Sequence, residues 1–378
     1  WAKAYSLFSA PAVEAEVEMK NAGLNGYPIG DATGKLTLDK SNYNIIIDAD
    51  VEEEGRHVAH MDGLVETLGD KNWGLDIYPD SLSVAFINHW TNGFIDQIDG
   101  RAYGEVKVFG YETKTWVTAK AYADSVGLTI PYTGCRYFVS DSVFLDSTSI
   151  RFPNMVLTDV EGNTLLVDGV LNHDEYFRDF KFNIFARPNN ALVFNLPYQQ
   201  GEMLSGKTYA SGEVYIGGDE ELVTLNATAR TMGDSHFRFN VSYASSASDN
   251  SFITFYDRNN ISQWKEEDDD DDIDLGLLKT TPSTRFKMAL NVDIQPNLLF
   301  GLVLNERTGD EIKARGEGAI TIGYDDQTEV ISMLGTYTVQ SGTMGFTVGN
   351  MIRRDFTLVD GGQIVWSGAP EMPMLDVT

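Results

Sequence analysis

The chain has 378 residues, 42% of them hydrophobic and 22% charged, with a formal net charge of −28. That composition supports a sizeable folded core and excludes overall disorder. The charge excludes a nucleic-acid backbone, which needs clustered Lys and Arg, and adsorption to anionic headgroups, but it leaves uncharged lipid tails open.

A single cysteine, Cys135, rules out an internal disulfide. No apolar run reaches the roughly 18 residues of a spanning helix. The sequence starts at Trp1 and shows no signal peptide, so an excised piece of a longer protein is expected.

The first clear element is "VEAEVEM", with Val13, Ala15, Val17 and Met19 on one side and glutamates on the other. Strict alternation of this kind predicts a strand with one apolar and one wet face. "HVAHMDGLVETL", His57 to Leu68, is the best helix candidate and is broken by Gly63. "LDIYPDSLSVAF" is a strand ended by Pro79, followed by "GEVKVFG" from Gly104 and "VTAKAYA" from Val117. "LTIPYTGCRYFVSDSVFLD", Leu128 to Asp146, runs on as strand. Glu161-Gly162-Asn163 predicts a turn, and "HDE" at 173–175 a solvated one.

The same order then returns. "FNIFARPNNALVF" contains Pro188, "GEVYIGG" starts at Gly212 and "VTLNATA" at Val223. "KEEDDDDDIDL", from Lys265 to Leu275, repels itself and is expected to be a loop. It lacks the glycine and glutamate positions of an EF-hand loop. A third round follows with "LNVDIQPNLLFGL" and its Pro296, "GAITIGY" from Gly318 and "ISMLGTY" from Ile331. The glycine anchors lie 108 and 106 residues apart, so three anchors in one order predict a repeat of about that length. Further turns are expected at Thr308-Gly309-Asp310, Ser341-Gly342-Thr343 and Asp360-Gly361-Gly362, the last closing a hairpin. The glycines of "RGEGA" predict a bend or bulge.

These elements predict an all-β protein built on a long, mostly antiparallel curled sheet with an apolar trough. Repeat one covers about 22–130, repeat two 131–237 and repeat three 238–350 with an acidic loop at 265–274; a closing hairpin covers 351–378. The alternative is a structural or adhesive array of β-sandwich domains binding proteins or glycans, since such units run to about 100 residues. Strands that continue across the repeat junctions, without linkers, favour the continuous sheet.

Chemical motifs are sparse. No HExxH, P-loop, Rossmann fingerprint or nucleophile elbow occurs, and 56 carboxylates make any one acidic pair uninformative. His57 and His60 are read as ordinary surface residues, and no metal, cofactor or enzymatic role is expected.

The closing stretch carries Phe356, Leu358, Gly361, Gly362, Ile364, Trp366, Gly368, Pro373, Leu375, Asp376 and Val377 in the pattern Phe-x-Leu, Gly-Gly-x-Ile-x-Trp-x-Gly, Pro-x-Leu-Asp-Val. With the strands upstream from about Leu75, it resembles the C-terminal region of the translocation and assembly module subunit TamB family, of the AsmA-like group. The acidic run around Asp270 matches no part of that pattern.

The resemblance implies a periplasmic location in a Gram-negative envelope and an inner-membrane anchor on the parent protein. It also implies a β-taco trough that holds phospholipid acyl chains, a role in lipid transport and outer-membrane biogenesis, and an outer-membrane β-barrel assembly partner at the C-terminal end. The expected groove lining is Phe286, Met288, Leu290, Val292, Ile294, Phe300, Ile312, Ile320, Ile322, Tyr337, Val339, Phe346, Val348, Phe356, Leu358, Ile364 and Trp366. Plain core packing competes with that role at each of them.

Overall fold

The computed structural model describes residues 2–5, 12–24, 26–39, 41–91, 95–111, 114–174, 178–200, 202–219, 221–241, 285–328, 330–348, 352–370 and 372–376. The first strands are β1 (Ala2–Tyr5), β2 (Ala12–Leu24), β3 (Tyr27–Leu38), β4 (Ile45–Glu53), β5 (Arg56–Val65), β6 (Asn72–Pro79) and β7 (Leu82–Ser83), followed by one short helix, α1 (Asn88–Thr91). Next come β8 (Asp96–Tyr111), β9 (Lys114–Ile130), β10 (Cys135–Val139), β11 (Ser142–Asp146), β12 (Ser149–Asp159), β13 (Thr164–Asn172), β14 (Lys181–Asn189), β15 (Ala191–Leu196), β16 (Leu204–Asp219) and β17 (Leu222–Asn240). The remainder is β18 (Arg285–Ile294), β19 (Leu299–Asn305), β20 (Asp310–Asp325), β21 (Val330–Val348), β22 (Ile352–Leu358), β23 (Gln363–Gly368) and β24 (Met374–Asp376).

Among the described residues, the 24 strands belong to one hydrogen-bonded, mostly antiparallel sheet. Strands close in sequence pair antiparallel, as their short connections require. The exception is β17, which is parallel to both β18 and β19. A parallel step needs a long crossover. Residues 242–284 make that connection, and the acidic run within them lies outside the described residues. The junctions expected at 130/131 and 237/238 fall in the β9–β10 hairpin and inside β17, so hydrogen bonding continues through both.

Three sets of strands share one arrangement. β6 and β7 follow each other along β8; β14 and β15 do so along β16, and β18 and β19 along β20. Each break in the shorter strand sits at a proline: Pro79, Pro188 or Pro296. Proline lacks the N–H that the ladder would use, so the strand stops and resumes beyond it. Side chains and turns hold the breaks. The Val58 carbonyl accepts from the N–H groups of Asp80 and Ser81 at 2.9 and 3.3 Å. Asp159 Oδ2 accepts from Leu192 N at 2.8 Å, and Tyr137 Oη donates to the Leu192 carbonyl at 2.6 Å. Thr231 Oγ1 accepts from Gln295 N at 2.9 Å.

Several expectations need correction. His57 to Leu68 is mostly strand β5, because its apolar side chains meet in-register partners on β4 and β6 that override its helical spacing. Ser341-Gly342-Thr343 lies inside β21, paired on both sides, and is not a turn. Asp360-Gly361-Gly362 does not close a hairpin: β22 and β23 run one after the other along β21. At that step Gly361 N donates to Val339 O and Val339 N to Gly362 O, at 2.9 and 2.7 Å, so the glycines make a fourth break of the same kind. Gly361 has φ +94°, which a side chain would resist. The bulge expected at "RGEGA" is present, between Arg315 and Gly316. His173 is buried against Phe180 rather than solvated.

Buried side chains gather in three clusters, around Val51, Val58 and Ala59, around Tyr137 and Leu192, and around Phe300, Tyr337 and Trp366. Asp159 serves the second. Burial alone would raise its carboxyl, but N–H donors from Leu192, Asn163 and Glu161 outweigh burial and hold it below the ordinary value. Its stabilising contribution is therefore complete above the unfolded-state value of about 3.9 and is lost as pH falls toward the lower folded value. Asp159→Ala leaves buried donors unpaired and should cost about 1–3 kcal/mol at neutral pH in urea unfolding. The gap between variant and wild type should narrow as pH falls below the unfolded-state value of about 3.9.

Candidate functional site

The side-chain period of two is kept in phase from strand to strand. One row begins at Val17 and passes in register through Gly34, Ala49, Met61, Ile77, Val106 and Ala119. It continues through Leu145, Ile150, Leu171, Phe182, Gly218, Val223 and Phe286. These fourteen positions occupy fourteen neighbouring strands and none carries a polar side chain. At the usual strand spacing the row is roughly 60 Å long. A parallel row joins Ile184, Ile216, Leu225, Met288, Tyr324 and Ile331. Another joins Ala186, Val214, Ala227, Leu290, Ile322 and Met333.

The apolar face divides by position along the strands. Around the breaks, side chains close over one another; Ile294, Phe300, Ile312, Ile320, Tyr337, Val339, Leu358, Ile364 and Trp366 are buried together. Phe300 stacks edge-on against Trp366 with centroids 6.1 Å apart, and Trp366 Nε1 donates to the Pro370 carbonyl at 3.2 Å. Toward the other strand ends the face stays half-buried, at Phe286, Met288, Leu290, Val292 and Ile322 and at Phe182, Ile184, Ile216 and Leu225. Nine of the expected lining residues are thus core and five lie on the half-open face. Phe346 and Phe356 are exposed, Phe356 by 53%; among the described residues β22 pairs only with β21. Val348 closes β21 opposite Ile352. The half-open positions on β14, β16 and β17 were missed, although their alternation is in the sequence.

The opposite face carries charged rows beside exposed apolar side chains such as Ile46, Leu64 and Phe109. In register, Glu16, Lys35, Asp48, Asp62, Asp76 and Lys107 form one of its rows. Lys107 sits 2.7 Å from Glu105 and 3.6 Å from Asp76. A shallow depression of about 520 Å³ lies where Ala289, Gly323 and Ser332 meet in register beside Lys287 and Asp325. Its lining also includes Met288 and Tyr324 of the second apolar row, together with Thr224, Asn226 and Val330.

One cluster on the charged face was also missed. His57 and His60 are three apart and would fall on opposite faces of a regular strand. A bulge opposite Val51 and Glu52 makes Val58 an extra residue and turns His57 to the side of His60. His57 Nε2 and His60 Nδ1 then lie 3.1 and 2.9 Å from Asp50 Oδ1. Hydrogen bonding to Asp50 raises the His60 pKa, and the same contact lowers that of Asp50.

The division between closed and half-open apolar residues is measurable. Trp366→Ala should lose about 3–5 kcal/mol of stability, as for a buried aromatic. Phe356→Ala should stay within about 0.5 kcal/mol, as for a surface site. Both follow from chemical denaturation of the two variants. Comparison with known protein families, curated proteins and solved structures finds no match to this chain.

Proposed function

We propose that the half-open apolar face is a non-enzymatic conduit surface that holds phospholipid acyl chains. The observation that carries this reading is the row from Val17 to Phe286, apolar in every position across fourteen strands and only partly covered. A core would be covered throughout, whereas a surface that receives a guest keeps apolar area accessible. Each CH₂ removed from water contributes about 0.8 kcal/mol, without directional demand, so an acyl chain is held strongly and slides freely. The charged face keeps the opposite side in water.

The closing pattern around Trp366 adds the second support. Its resemblance to the TamB family supports a reading in which the protein works in a Gram-negative periplasm, in lipid transport and outer-membrane biogenesis, with a β-barrel assembly partner toward the C-terminal end. In this reading the curled sheet is a β-taco of three repeats. The segment around Phe300, Tyr337 and Trp366 fills its own interior with side chains and acts as a plug or rim.

A photo-crosslinking amino acid placed at Ile216 or Leu225 should form phospholipid adducts in cells, and the same group at Tyr337 should form none. Leu225→Glu with Met288→Glu should abolish adducts at Ile216 while far-UV circular dichroism stays unchanged. Absence of adducts at every half-open position, with no lipid extracted from the purified protein, would overturn the reading.

A further inference from the structure

We propose that Asp50, His57 and His60 form a binding site for a divalent transition-metal ion of the zinc class. One ligand atom from each of the three residues lies within 4.8 Å of the other two. The two contacts to Asp50 are 3.1 and 2.9 Å. Ligands about 2.0–2.1 Å from a tetrahedral ion sit roughly 3.4 Å apart, so a slight outward movement of exposed side chains opens the space. Two imidazoles and one carboxylate suit zinc, nickel or copper and not the oxygen-only preference of calcium or magnesium. One coordination position stays open to water.

The surroundings point to the same ligand. Metal-bound imidazoles characteristically direct their other nitrogen at a carboxylate, which fixes the ring. His60 Nε2 lies 3.3 Å from Asp62 Oδ1, and His57 Nδ1 lies 3.9 Å from Asp80 Oδ2. Tyr78 stacks on the His60 ring, with centroids 6.4 Å apart and planes 21° from parallel. Asp48, Asp62 and Asp76 face one another in adjacent strands, a like-charge row that a cation relieves. The bulge at Val58 that gathers the histidines is also fastened by Asp80 and Ser81 through its carbonyl, so the bound ion would clamp the β4–β5 hairpin to the turn after Pro79.

Calorimetric titration of the metal-free chain with Zn²⁺, in excess Mg²⁺ to occupy diffuse acidic sites, tests the assignment. Wild type should bind one ion per chain. His57→Gln with His60→Gln should weaken binding more than about 100-fold, and Asp62→Asn about 10-fold, the range for an outer carboxylate. The wild-type Co²⁺ adduct should show the ligand-field absorption of a nitrogen-ligated four-coordinate ion, a readout that needs no variant. Zn²⁺ binding of equal strength in wild type and the double variant, no binding in excess Mg²⁺, or a Co²⁺ spectrum of the hexa-aqua ion would overturn the proposal.

Discussion

The structure depends on the phase of the strand pairing. Side chains alternate faces with a period of two, so a slip of one residue anywhere exchanges the apolar and charged faces of every strand beyond it. From Val17 to Phe286 the phase survives thirteen consecutive pairings. One of those, β17 with β18, is parallel and preserves the facing as well as the antiparallel pairs do. Backbone hydrogen bonds alone would tolerate slips. The cost of placing Glu16 or Asp48 on the apolar side is what fixes the register.

Bulges and breaks are where that phase is spent. The extra residue at Val58 leaves two successive side chains, Val58 and Ala59, both buried, and it turns His57 outward. The breaks after Pro79, at Pro188, at Pro296 and at Gly361 each let one strand continue as two along a single long partner. Around each break, side chains from neighbouring strands close over one another. Farther from it they remain half-covered.

This explains what was legible in the sequence and what was not. Alternation along "VEAEVEM" gives strand and face directly, because only local spacing is involved. It cannot separate core from open face. Ile320 is 3% exposed and Ile322, two residues away on the same face, is half-buried. The difference is distance from the break, which belongs to the tertiary arrangement. Asp360-Gly361-Gly362 has hairpin chemistry, but the 19-residue β21 offers a longer pairing surface, and β22 and β23 both take it. The histidine pair was hidden for the same kind of reason, since its spacing suits a helix face and only a bulge brings it together on a strand.

Charge follows from the same geometry. A sheet that reserves one face for apolar side chains must place its ionisable groups on the other, and a net charge of −28 then leaves carboxylates opposite one another. Ion pairs such as Lys287–Asp325 and Arg230–Asp293, at 2.8 and 2.7 Å, offset part of that repulsion. Exposed pairs contribute little each, about 0–1 kcal/mol. At β4 to β6 the row Asp48–Asp62–Asp76 has Lys35 and Lys107 only at its ends. Repulsion there is tolerated because the apolar face, not the charged one, sets the register, and the price is a surface that favours cations where His57 and His60 stand beside it.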